Sequence, residues 1–332
     1  MNRKYTLGIV GVRGYVGREL LALLADNKNI EVDWVSSRQL NGEPLLELLE
    51  QDENFCFSGV ANEHYYKDIL IENLSATDIV NKKTDIVVLA LPNGLAEPFV
   101  LELERANNCQ LIIDLSADYR FDNQWIYSVP ELTELNLLNI DRPVKISNPG
   151  CYATAMQLAL APLLIDVKEQ ANIKGQANCF GISGYSGAGT KPSVNNDLVR
   201  LKDNILPYSL VGHLHEKEAS YQLGIPVSFS PHVASFFRGI SMTLQLELER
   251  KWSLLEIHEL FETFYKNSPL IIVSESIPNI QQVVNTNKCA VGGFKLSDDG
   301  KRLSLVSCLD NLLKGAASQA LQNICLALGI EF

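Results

Sequence analysis

The order of apolar and polar positions changes near residue 150. Before it, short apolar runs alternate with segments whose apolar residues recur at helical spacing, the pattern of a parallel α/β sheet. Tyr5–Val10 (YTLGIV) reads as a strand ending at Gly11, and Gly17–Asp26 (GRELLALLAD) as a helix. Glu31–Ser36 is a second strand. Thr84–Leu91, Gln110–Leu115 and Val144–Asn148 are continuous apolar runs, as strands covered on both faces should be. Phe99–Asn107 supplies a crossover helix between two of them. Beyond residue 150, a helix over Tyr152–Asp166 is followed by strand-like stretches at Asn178–Ile182, Gly239–Leu248 and Leu270–Ser274. Gly239–Leu248 (GISMTLQLEL) alternates polar and apolar residues, which predicts one exposed sheet face. Leu255–Tyr265 is an amphipathic helix. Asn311–Leu328 reads as one long helix that returns to the first domain. The expected fold is an α/β parallel-sheet domain (1–150 with 311–332) and an inserted α+β domain with a mixed sheet (151–310).

A chain of 332 residues suits two such domains, and 46% hydrophobic with 20% charged residues gives them ordinary cores. The net charge of -11 disfavours nucleic acid as a partner. No run approaches the ~20 apolar residues of a membrane span, and the N-terminus enters a strand without a signal-peptide pattern. Seven cysteines (Cys56, Cys109, Cys151, Cys179, Cys289, Cys308, Cys325) lack C-x-x-C pairs, as in a reduced cytoplasmic protein.

Candidate chemistry begins at the first strand-to-helix turn. Gly11-Val12-Arg13-Gly14-Tyr15-Val16-Gly17 has the glycines and the helix N-terminus that a dinucleotide pyrophosphate needs. A turn of packing value only is the competing reading. Ser36-Ser37-Arg38 follows the second strand, where NAD enzymes often carry an acid; hydroxyls and a guanidinium suit a 2′-phosphate and favour NADP. Arg38 as a solvated charge is the alternative.

Asn148-Pro149-Gly150-Cys151-Tyr152 carries the most information. Pro-Gly turns the chain, and Cys151 then stands at a helix start, where the dipole favours a thiolate nucleophile. An ordinary buried thiol is the other reading. His213-Leu214-His215 with Glu218 offers an imidazole base, a metal site, or merely surface histidines. Ser183–Gly189 (SGYSGAG) does not satisfy the serine-hydrolase elbow and reads as a donor-rich loop lining an anionic substrate or the nicotinamide, or as a plain turn.

Taken together, NPGCYAT, SGYSGAG, HLHEKE, GVRGYVGREL and DNLLKGAASQALQN resemble the blocks of the N-acetyl-γ-glutamyl-phosphate reductase family, in order, from Gly8 to Asn323. That family is related to aspartate-semialdehyde dehydrogenase and, more distantly, to glyceraldehyde-3-phosphate dehydrogenase. The resemblance implies a Rossmann-type NADP domain and a mixed-sheet catalytic and oligomerisation domain, hence a homodimer or homotetramer. It implies a Cys151 thioester, with His215 or His213 as acid/base. Gly11, Arg13, Gly14, Tyr15, Val16, Gly17, Ser37, Arg38, Pro92, Gly184 and Asn311 would face the cofactor. Arg120 would hold the acyl phosphate and Arg238 the substrate carboxylate, with Asn148, Ser186 and Glu218 also facing substrate and no metal. Arg13, Val16 and Ser318 depart from the family pattern, Arg13 most. Other readings keep the chemistry with aspartyl or N-acetyl-α-aminoadipyl phosphate, or replace it with a non-catalytic nucleotide-binding regulator or a zinc hydrolase.

Overall fold

A parallel sheet buries both faces and needs helices on each, and the first half of the chain supplies them. The computed structural model describes residues 4–25, 27–50, 66–134, 143–164 and 172–332. The chain forms β1 (Tyr5–Val10), α1 (Tyr15–Ala25), β2 (Ile30–Ser36), α2 (Leu45–Glu50), β3 (Ile71–Glu72), α3 (Ala76–Lys82), β4 (Ile86–Leu89), α4 (Glu97–Ala106), β5 (Leu111–Asp114), β6 (Ile126–Tyr127) and β7 (Val144–Ser147). Asp26 and Asp166, the expected helix ends, and Cys56 lie outside the described residues. All seven strands run parallel in the order β3-β2-β1-β4-β5-β7-β6. The order reverses between β1 and β4, the switch point where α/β sheets bind ligands at the carboxyl ends of their strands.

Alternate strand residues divide the core into two layers. Leu7, Ile9, Ile86 and Ile113 pack with Leu20, Leu21 and Leu24 of α1, joined by Ala320 and Ile324 of the final helix, α8 (Ser318–Leu328). Val87, Leu89 and Ile112 pack on the other side with Ile79 of α3 and Phe99, Val100 and Leu103 of α4. Trp34 lies flat against β1 and donates its indole N–H to Thr84 Oγ1 at 2.6 Å. Only glycine at position 8 leaves room for that ring.

The second compact unit spans Gly150–Gly315, while Ala316–Phe332 belongs with Met1–Pro149. It contains α5 (Cys151–Leu164), β8 (Ile173–Gly184), β9 (Ile205–Pro207), α6 (Leu214–Leu223), β10 (Val227–Ala234), β11 (Ile240–Leu248), α7 (Leu254–Tyr265), β12 (Ile271–Ser274), β13 (Cys289–Leu296) and β14 (Arg302–Leu309). The sheet is mixed, ordered β12-β13-β14-β11-β8-β10-β9. Helix α5 is apolar all round, and every residue from Tyr152 to Leu163 is buried, as befits a core helix. β11 alternates buried with half-buried or exposed residues, so one sheet face is covered and the other is open.

The stretch expected as one helix over Asn311–Leu328 is two elements. A π turn at Leu313–Ala317 precedes α8, and the Gly315 amide reaches back five residues to the Asp310 carbonyl at 2.8 Å rather than four. Placing a methyl at position 8 forces it into Trp34, so Gly8→Ala is predicted to lose about 1–3 kcal/mol. A lowered urea midpoint with unchanged slope checks this; an unchanged midpoint contradicts the packing described.

Candidate active site

Each unit carries part of the expected chemistry. In the first, β1 ends at Val10 and the chain turns sharply at Gly11, whose φ of 92° and approach to the Ala90 carbonyl both exclude a side chain. The Gly11 and Val12 amides donate to the Ser36 carbonyl at 2.8 and 3.2 Å, which ties the turn to the end of β2. A Cβ on Gly17 would lie 3.0 Å from Val12 Cα, so that glycine permits helix-to-turn packing. Gly14 differs: a Cβ there would meet nothing closer than the Gly11 carbonyl at 3.6 Å. Its missing side chain leaves backbone open at the start of α1, which fits a pyrophosphate at that helix end.

Arg13, Tyr15 and Val16 are half-buried around the turn. Ser36 and Ser37 are buried; Ser36 Oγ accepts the Leu74 amide at 3.1 Å, and the Ser37 amide donates to the Glu72 carbonyl at 2.9 Å. Arg38 is exposed and has no ion-pair partner among the described residues, which suits a guanidinium awaiting an anion. Pro92 is exposed just past β4. The loops after β4 and β5 are laced together: Asp118 accepts the Gly94 amide at 2.6 Å and the Ala96 amide at 3.2 Å, and Asn93 accepts the Ala117 amide at 3.0 Å.

In the second unit, Cys151 is the first residue of α5 and is partly exposed. The other described cysteines are all buried. Burial pushes the thiols of Cys109, Cys308 and Cys325 up to about 11 and that of Cys179 to about 12. Those four are protonated at neutral pH and unsuited to nucleophilic attack. Glu218, wholly buried on α6, accepts the Gly150 amide at 2.8 Å, and Thr154 returns its hydroxyl to the Gly150 carbonyl at 3.0 Å. These bonds fix where the cysteine helix begins.

Aromatic rings surround that start. Tyr152 has its ring centroid 6.0 Å from His215 and 6.3 Å from His213, and His213 and His215 are 5.0 Å apart. Phe229 lies 5.3 Å from His213, and Tyr208 lies 5.6 Å from it. The Tyr152 phenol donates to the His232 carbonyl at 2.7 Å, and burial, with the neighbouring Cys151, holds both Tyr152 and Tyr208 well above the usual tyrosine range. His213 is the N-cap of α6, its Nδ1 accepting the His215 amide at 3.1 Å, and burial lowers its pKa. His213 is therefore a neutral acceptor, which leaves His215 as the imidazole not committed to a cap. Among the described residues no three His, Cys, Asp or Glu side chains are grouped to hold a metal ion.

Comparison with known proteins decides the family. Residues 6–140 match the model described as the NAD binding domain of semialdehyde dehydrogenases, and residues 151–311 match its dimerisation domain. The chain is 48% identical over 327 residues to N-acetyl-gamma-glutamyl-phosphate reductase of Stenotrophomonas maltophilia, covering 98% of this chain and 96% of that one. Enzymes of the same name from Xanthomonas campestris and Xylella fastidiosa are each 46% identical, over 98% of this chain and 96% and 93% of theirs. The chain belongs to the N-acetyl-γ-glutamyl-phosphate reductase family. Among solved structures it resembles aspartate semialdehyde dehydrogenase II of Vibrio cholerae complexed with ASA (TM-score 0.76, 16% identity, 100% of both chains). It also resembles the Candida albicans aspartate semialdehyde dehydrogenase with NADP (TM-score 0.75, 15% identity, 98% of this chain and 99% of that one). These two share its fold.

Several expected site residues of this reductase-family chain also make internal bonds. Asn148 is 1% exposed, donates to the Ala316 carbonyl at 3.3 Å and accepts from Asn323 at 3.1 Å. Arg120 is buried and donates to the carbonyls of Asn148 at 3.1 Å and Leu115 at 3.3 Å. Beside it, burial raises Asp114 to about 6 even though Ser116 hydrogen-bonds the carboxylate. Asn311 bridges the Ser186 hydroxyl at 2.9 Å and the Gly239 amide at 2.7 Å, closing SGYSGAG onto FFRG. Gly184 abuts the Phe237–Arg238 backbone too closely for any side chain. Arg238 is buried, 2.6 Å from Asn285 Oδ1 and 3.6 Å from Asp310; burial lowers its pKa and Asp310 opposes that shift. Sequence reasoning missed Tyr208, which sits in an unpatterned stretch and reaches the site only through the fold.

The lowered pKa of His213 has a definite sign. Its folded value lies below the unfolded 6.5, so the unfolded state binds more protons between the two, and stability is lost as pH falls through that window. Asn at position 213 keeps a capping acceptor without titrating. The urea midpoint is predicted to fall less for His213→Asn than for wild type on going from about pH 7 to about pH 5. Parallel profiles contradict this assignment.

Proposed function

We propose that the chain reduces N-acetyl-γ-glutamyl phosphate to N-acetylglutamate 5-semialdehyde with NADPH, releasing phosphate, as a cytoplasmic step of arginine biosynthesis. The observation that carries the proposal is Cys151: a partly exposed cysteine at the start of a buried helix, followed by Tyr152, whose ring lies 6.0 and 6.3 Å from those of His215 and His213, in a chain similar over its whole length to named reductases. In this reading the Cys151 sulfur attacks the acyl carbon, the bond to the phosphate oxygen breaks, and a thioester forms. Bound NADPH supplies the hydride that reduces the thioester carbonyl. His215 takes the thiol proton and hands it to the carbonyl oxygen during reduction; it then takes back that hydroxyl proton as the carbon–sulfur bond breaks, so that the aldehyde leaves and Cys151 departs as thiolate.

Gly11, Gly14 and the start of α1 would hold the pyrophosphate, with Arg13, Tyr15, Val16, Gly17 and Pro92 around it. Ser37 and Arg38 would take the 2′-phosphate. Arg120 and Arg238 are this reading's cations for the substrate phosphate and carboxylate, their guanidinium planes fixed by the internal bonds described above. Asn148 holds Arg120 through its carbonyl, Ser186, Gly184 and Asn311 brace the segment that bears Arg238, and Glu218 fixes the start of the cysteine helix. A second copy of the chain is the proposed partner, as a dimer or a tetramer, through the open face of the mixed sheet. Phe180 on that face is 42% exposed, its ring tilted against that of His232 with centroids 4.3 Å apart.

Cys151→Ser is predicted to lower kcat at least about 10³-fold, since a hydroxyl is a far weaker nucleophile. Full turnover, or no acyl group trapped on the wild-type sulfur, refutes the thioester. A steady-state panel should place kcat/KM for N-acetylglutamate 5-semialdehyde above that for the aspartate and aminoadipate analogues; preference for either analogue reassigns the substrate. Arg38→Ala is predicted to raise KM for NADPH about 10- to 100-fold with kcat retained, the value of one charged hydrogen-bonded contact. Equal use of NAD and NADP by the wild type contradicts that contact.

A further inference from the structure

Nucleophilic attack needs the sulfur of Cys151 in one place, and the backbone behind it is unusual. β14 ends at Leu309, and Asp310 follows, wholly buried. Asp310 Oδ1 accepts the Leu312 amide at 2.9 Å and the Leu313 amide at 3.2 Å. Its other oxygen accepts the Asn285 amide at 2.9 Å and faces Arg238. Its carbonyl takes the Gly315 amide at 2.8 Å, five residues on, a π-type bond that leads into the π turn and ties it to Asp310. π turns inside helices occur mostly as single turns and often at functional sites.

The turn carries Gly315 against the nucleophile. A Cβ built there would lie 2.7 Å from Cys151 Cβ, 3.2 Å from Cys151 Cα and 3.2 Å from Leu309 Cδ1. Gly315 is not among the positive-φ glycines, so space rather than backbone conformation demands glycine. The obstructing atom cannot swing aside, because Cys151 Cβ is bonded to the first residue of a helix buried from Tyr152 to Leu163. Either the turn or the carbon bearing the sulfur must shift.

We infer that Gly315, held by the Asp310-anchored π turn, is a positioning residue that sets the location of the Cys151 sulfur for attack. This rests on Cys151 being the nucleophile. Displacing a reacting group by about 1 Å costs about 100-fold in rate, so Gly315→Ala should lower kcat by about that factor. KM for NADPH should not change, because the dinucleotide turn belongs to the other unit. The pH profile of Cys151 alkylation by iodoacetamide should move in the folded variant. A folded Gly315→Ala enzyme with wild-type kcat and alkylation profile overturns the proposal.

A stability cycle covers the case in which that variant does not fold. Cys151→Gly removes the obstructing Cβ, so Gly315→Ala should cost much less thermal stability in that background than in wild type. Equal loss in both backgrounds, or failure to fold in both, overturns the contact. The outcomes separate from the nucleophile assignment. An active Cys151→Ser enzyme removes the nucleophile but leaves the cycle readable. An inactive Cys151→Ser beside a fully active Gly315→Ala keeps the nucleophile and removes the role of Gly315.

Discussion

The bond from the Gly150 amide to the buried Glu218 carboxylate, 2.8 Å long, determines where the cysteine helix starts. The first amides of any helix lack internal partners, and here Pro149 and Gly150 bring the chain in through a turn with no side-chain cap of its own. Glu218 can take that amide only because α6 is itself fixed at its start. His213 caps it, and Glu216 reaches both the Gly212 amide and the Phe229 amide of β10 at 2.9 Å. Burying a carboxylate is costly unless hydrogen bonds compensate. The compensation here is the same bond that sets the helix start, so the cost and the function are inseparable.

The same device recurs. Asp310 gathers the Leu312, Leu313 and Asn285 amides, Asp118 gathers those of Gly94 and Ala96, and Asp114 accepts the Ser116 amide. Each sits at the end of a strand or in the connection after one, where backbone donors would otherwise need water. Part of the chain's acidity is thus structural, and the formal charge of -11 overstates how much of it faces solvent.

The strands of the first unit were legible because burial on both faces removes polar positions and leaves runs such as IVVL and LIID. The cysteine helix was legible from Pro-Gly followed by an apolar run. β10 was not, since Pro231 reads as a breaker. It is tolerated because the strand pairs with β8 in parallel and with only three residues of β9. The β13–β14 hairpin hid behind Gly292 and Gly293, where Ser274 and Ile277 approach too closely for side chains. The π turn was invisible because its apolar spacing matches a helix and only the buried Asp310 diverts it. The carbonyl partners of Arg120 are a product of tertiary structure, and no local pattern encodes them.

Burial also sorts the cysteines by vulnerability to oxidants. Peroxide reacts with thiolates and with accessible sulfur. Cys109, Cys179, Cys308 and Cys325 are protected on both counts. Among the described cysteines, an oxidative burst would therefore fall first on Cys151, leaving the buried thiols of the cores intact. A sulfenic acid there is reversible by thiols, so the partial exposure that opens Cys151 to oxidants also opens its oxidised form to repair.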